Sequence, residues 1–186
     1  MGVIVVAVAA VLLVALLAWL VGVYNRLVRL RNQTEASWAQ IDVQLRRRLD
    51  LIPNLVETAE GYAGHERATF ESVAAARSAA AVEGLGTADR AAAEGALATS
   101  LAKLLALGEA YPQLKADGRF AVVQSELATA ENKIAYARQF FNSAVQSYNT
   151  AQQSFPANLV AGLGGHAPRE YYEAGAAAQD PVRVSF

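Results

Sequence analysis

The chain has 186 residues, 54 % of them hydrophobic, and a formal net charge of −1, a size for one domain or one domain with an anchor. A balance so close to neutral gives no electrostatic footprint for nucleic acid. The lack of any cysteine excludes disulfides, thiolate catalysis, thiolate zinc sites and cysteine lipidation.

The hydrophobicity is concentrated at the start. No charged residue occurs from Gly2 to Asn25, a run that as a helix spans roughly 36 Å, enough to cross a hydrocarbon core of about 30 Å with some tilt. Trp19 and Tyr24 stand where an interfacial aromatic belt belongs. A cleaved signal peptide is the rival reading, but the start lacks Lys and Arg, the apolar run is long and "AWLVGVYN" offers no convincing small-x-small site, so a retained anchor over 1–25 is expected. Val6 stands where a myristoylation signal needs Ser or Thr. Arg26, Arg29 and Arg31 follow the span, and the positive-inside rule then puts the N-terminus outside and the rest in the cytoplasm of a single-pass protein.

Beyond the anchor the apolar spacing is helical and no alternating β-branched run appears, so the expected fold is all-α, an antiparallel up-down bundle of three or four long helices over 26–155. Leu27, Leu30, Trp38, Ile41 and Leu45 share one face with no Gly or Pro between them; the membrane helix therefore continues into water. Next come Arg46, Arg47 and Arg48, then Asp50 and Pro53. A mid-helix proline costs about 3 kcal/mol, whereas one in a first turn is tolerated. Asp50 as N-cap would place Pro53 in such a turn, so a corner at 48–51 is favoured over a kinked continuous helix, with the arginines in a last turn where cations suit the helix dipole.

Leu49, Ile52, Val56, Ala59, Ala63, Phe70, Val73 and Ala80 extend a second stretch, with Glu66 and Arg77 as polar exceptions, until "VEGLGTADR" breaks it. Leu97, Leu101, Leu104 and Tyr111 mark a third that ends before Pro112, and "PQLKADGRF" is a turn with Asp117-Gly118 at its tip. The last helix is the most regular: Phe120, Leu127, Ile134, Phe141, Tyr148 and Phe155 form a large row, and Val123, Ala130, Ala137, Ala144 and Ala151 a small one. This seven-residue repeat is read as an intramolecular bundle core, with Phe141 and Tyr148 as structural residues, in preference to an intermolecular coiled coil.

A tail over 156–186 follows, Gly-rich and aromatic. It is either a solvated, frayed terminus or a surface offering Phe155, Leu159, Tyr171 and Tyr172 to the membrane interface or a neighbouring subunit. With a reversal at Pro53, four stretches return this tail to the bilayer; with a kink, three stretches leave it far away. His65-Glu66 begins a zinc-protease pattern but Thr69 replaces the second histidine, and His166 is remote in sequence, so neither a metal nor a cofactor is expected.

Two blocks, "YNRLVRLRNQTEASWAQIDVQLRRRLDLIPNLVETAEGYAGHE" and "ARQFFNSAVQSYNTAQQSFPANLVAGL" with "PREYYE", resemble the bacterial LemA family over nearly the whole chain. The resemblance implies a small inner-membrane protein with one N-terminal span, a helical-bundle domain and no established enzymatic activity. It also implies association with membrane-protein quality control, including a membrane-bound zinc protease, and for some relatives the shaping of intracellular membranes. The chain departs from the family where an aromatic residue usually precedes "PREY"; here "GLGGHAPREYYE" has His166 before Ala167.

The expected function is thus a non-enzymatic scaffold or adaptor that associates with lipids, assembles with itself or docks a membrane partner. An accessory regulator of a membrane protease is the alternative. The expected partner contacts are Arg46, Arg47, Arg48, Phe155, Leu159, Tyr171 and Tyr172. A hydrolase would need a convergent polar constellation that the sequence does not offer.

Overall fold

The structure, a computed structural model, describes residues 1–173; the end of the anticipated tail, 174–186, lies outside the described residues. The helices are α1 (Gly2–Ala63), α2 (Arg67–Ala80), α3 (Thr87–Ala110), α4 (Pro112–Lys115), α5 (Gly118–Gln153) and α6 (Ala157–Leu163), and no strand occurs among the described residues. The fold is all-α, as expected. Two compact units divide the described residues: 1–39 with 140–170, and 40–139 with 171–173.

In the second unit, 40–63 of α1, all of α2 and α3, and 118–139 of α5 enclose one core. Ile52, Leu55, Val73, Leu97, Leu104 and Leu114 are fully buried there. Neighbouring helices run antiparallel. Ser72 and Ser100 hydroxyls meet at 3.0 Å, Tyr111 donates to Glu66 at 3.1 Å, and Arg90 donates to the Ala80 carbonyl at 3.2 Å, satisfying an orphan acceptor at the end of α2. Gly108 lets α3 and α5 approach, since a Cβ there would lie 3.0 Å from the Phe120 ring. Asp117 is the N-cap of α5, its Oδ1 accepting from Arg119 N–H at 2.7 Å and Phe120 N–H at 3.3 Å while Oδ2 accepts from Tyr62 at 2.9 Å.

The expected corner at 48–51 does not form. α1 runs helical through Asp50 and Pro53 to Ala63, so Asp50 caps nothing and Arg46 to Arg48 lie mid-helix. The physical reason is visible one turn back. Pro53 cannot donate to the Leu49 carbonyl, and Arg77 Nε of α2 donates to that oxygen instead, at 3.1 Å. The polar exception on the apolar face of α2 thus repairs the defect in α1. The reversal falls later, at 64–66, where Gly64 interrupts the helix and the Glu66 N–H turns back to the Ala63 carbonyl at 2.9 Å. The stretch read as one helix from Leu49 to Ala80 is therefore the end of α1 plus α2, and four antiparallel stretches still result.

In the first unit, α1 and α5 pack antiparallel, Trp38 against Phe141 with ring centroids 5.2 Å apart. Leu27, Val145 and Tyr148 are buried with them. Thr34 and Ser37 complete the buried row of α1, and their hydroxyls donate to the carbonyls of Arg31 and Gln33 at 2.7 and 2.6 Å, which removes the penalty of burying them.

Candidate functional site

The apolar start of α1 takes no part in the core: its most hydrophobic 18-residue window is 0 % buried. A helix of this length and composition can cross a membrane. α3 meets the same test of length and hydropathy, but it turns Leu97, Leu101 and Leu104 into the bundle.

At the C-terminal end of the apolar run, Tyr24 meets the tail. Gly164 sits so close that a Cβ would lie 3.1 Å from the Tyr24 ring and 3.0 Å from the His166 ring. His166 is buried, edge-on to Tyr24 at 5.6 Å between centroids, with Nδ1 3.2 Å from the Tyr148 hydroxyl and its carbonyl accepting from Gln152 at 3.0 Å. His166 thus makes ring contacts with both Tyr24 and Tyr148. Asn149 grips the next turn of chain from both sides: Nδ2 donates to the Arg169 carbonyl and Oδ1 accepts from the Arg169 N–H, each at 2.9 Å. The Arg169 guanidinium reaches Glu35 at 2.8 Å, a carboxylate also held by Arg31 at 3.1 Å.

Residues 164–170 are therefore docked rather than frayed. The short α6 before them presents Leu159 and Leu163 to solvent with 62 and 93 % exposure, and Phe155 in the turn that leads into it is 80 % exposed. This apolar ridge stands beside Tyr24 although α1 is continuous through Pro53, contrary to the expectation that a continuous helix leaves the tail far from the membrane segment.

The second unit holds a buried charge cluster. Arg48 is only 3 % exposed and bridges Glu94, itself buried, and Glu131 at 2.6 Å. Arg90 lies 3.8 Å from Asp42 nearby. Tyr172 closes a cavity of about 210 Å³ that Arg48, Glu94 and Glu131 also line, with the Arg138 guanidinium over its ring at 5.1 Å. Burial holds the Tyr172 hydroxyl above its ordinary pKa. Cations and carboxylates neutralise each other here, so the cluster locks helices together. Among the described residues no group of three or more His, Cys, Asp or Glu could hold a metal ion.

The expected contact residues consequently separate. Phe155, Leu159 and Tyr171 are exposed and Arg47 is exposed, while Arg46 is held only by an exposed pair with Glu83 at 3.0 Å. Arg48 and Tyr172 point inward and present nothing to a partner. Phe141 and Tyr148 are buried, as expected of structural residues. Glu94 was missed although the signal was present: it continues the spacing Ala91, Leu97, Leu101 and Leu104 of buried residues.

The sequence profile of the LemA family matches residues 37–186. The chain belongs to the LemA family. Relatives of this LemA-family chain include magnetosome proteins MamQ 1 and MamQ 2 of Paramagnetospirillum magneticum, each 24 % identical over 194 residues that cover 91 % of this chain and 71 % of the relative. Magnetosome protein MamQ of Magnetospirillum gryphiswaldense is 26 % identical over 201 residues, 95 % of this chain and 74 % of its own. Family membership and the bare apolar helix together support association with a membrane.

Proposed function

We propose that this LemA-family chain is a non-catalytic scaffold or adaptor, anchored by its first helix in a bacterial cytoplasmic membrane with the bundle on the cytoplasmic side. The observation that carries the reading is the pairing of an apolar segment that contributes nothing to the core with a ridge, Phe155, Leu159 and Leu163, exposed beside that segment's inner end. Free water is a poor medium for both; the segment suits lipid, and the ridge suits the interface or a second copy of the chain. Arg26, Arg29 and Arg31 support the orientation. The magnetosome proteins among its relatives are consistent with work at a membrane.

Mass measurement of the detergent-solubilised chain tests the assembly. A large homo-oligomer that Leu159→Asp with Leu163→Asp reduces to a small species supports the scaffold. A small species in the wild type favours the adaptor, for which Arg46 and Arg47 are the cationic contacts to a membrane protease or another partner. Cross-linking from membranes with and without Arg46→Glu/Arg47→Glu then checks that second reading.

A further inference from the structure

Between α1 and α5 of the first unit runs a groove of about 690 Å³, within the range of small-molecule sites. Along α1 its wall passes from Trp19 and Val23 to Arg26, with Leu30 one turn further on; along the antiparallel α5 it passes from Phe155, just beyond the helix end, back to Ser147 and Gln146. Leu27, 1 % exposed, is the floor. The apolar end is continuous with the charge-free run Gly2–Asn25, so the groove opens at the level where acyl chains meet headgroups.

The polar end is cationic. Arg26 and Gln146 carry N–H donors that meet no partner among the described residues, and the nearest acid along α1, Glu35, already holds Arg31 and Arg169. An amphiphile whose apolar part lies along Trp19 and Val23 would therefore bring an anionic group to these donors. We infer that the groove is a binding site for one anionic phospholipid, its phosphate held by Arg26 and Gln146 and an acyl chain lying along Trp19, Val23 and Phe155. A zwitterionic lipid fits less well, because its ammonium group would meet an arginine with no carboxylate beside it.

The inference rests on membrane anchoring, and the test separates the two. The full chain is placed in phosphatidylcholine nanodiscs doped with phosphatidylglycerol that is spin-labelled on an acyl chain, and the label immobilised by protein is compared with that of labelled phosphatidylcholine. The expected result is a preference for phosphatidylglycerol that falls about five-fold in Arg26→Gln. It falls similarly in Ser147→Trp, which fills the groove from an exposed position without touching a charge. Arg29→Gln, exposed on the same helix outside the groove, should retain it. Equal loss with Arg29→Gln would mean diffuse surface charge and overturn the site, as would retention in Ser147→Trp. A chain that enters the nanodisc with no preference refutes the groove alone. One that never enters refutes the anchor.

Discussion

Arg48 stands on the buried row of α1, between Leu45 and Ile52, and its charge is tolerated because Glu94 and Glu131 surround it. Removing one partner of such a pair leaves the other desolvated, so Arg48→Met should lower stability by about 3–5 kcal/mol. Arg48→Met with Glu94→Leu should recover much of that loss, because apolar groups of similar volume replace the pair. Denaturant melts of the single and double variants check both expectations. Asp117 offers a test by pH. Its carboxylate accepts from Tyr62 and from the amides of Arg119 and Phe120, and these bonds hold its pKa below the ordinary 3.8. A lowered folded pKa means that the carboxylate stabilises the fold above the unfolded value and ceases to do so as the pH falls through the lower folded one. Thermal melts from about pH 5 down to about pH 2 should therefore fall less steeply for Asp117→Asn than for the wild type.

Among the elements, α1 depends on α2 for its continuity. Arg77→Met should destabilise by about 1–3 kcal/mol, the cost of an unsatisfied, partly buried carbonyl at Leu49. With Pro53→Ala the helix regains its own donor, and the same Arg77→Met should then lose most of its effect. A double-mutant cycle that found the two effects additive would contradict the repair. The row on α5 invites a comparison of neighbours. Phe141 is 5 % exposed and Phe140 57 %, so Phe141→Asp should abolish cooperative melting in circular dichroism while Phe140→Asp leaves it nearly intact. The rows of α5 were legible because apolar spacing reports burial directly, and every member of both except Phe155 is buried or half-buried. The passage through Pro53 was not legible, because the donor that rescues Leu49 belongs to a helix 24 residues further along, at Arg77. Local rules for proline see only the helix that contains it.

For the whole molecule, the decisive expectation is retention of the apolar segment. Intact-mass analysis of membrane-extracted protein should find residues 3–23 present, and a mature chain starting after about residue 18 would remove the anchor. Fold class and family were legible from long ordered blocks of residues. The docked tail was not, since glycines at 162, 164 and 165 ordinarily signal loose chain. Only the packing shows that Gly164 gives room to the Tyr24 and His166 rings, and that Asn149 fixes the backbone of Arg169. The inward turn of Arg48 was hidden for a related reason: three adjacent arginines read as one charged patch, whereas successive helix positions face different ways.

The Arg48–Glu131 contact joins residues 83 apart, and this bears on the order of events at the ribosome. An emerging chain has its apolar segment first, and α5 follows only after α1 to α4. Until α5 is synthesised, Arg48 lacks one of its two counter-ions and the row Phe120, Leu127 and Ile134 is missing from the core. The bundle therefore cannot close early around a half-made chain. A nascent chain stalled after α3 should stay open to protease, and resistance should arise in one step once Ile134 has cleared the exit tunnel.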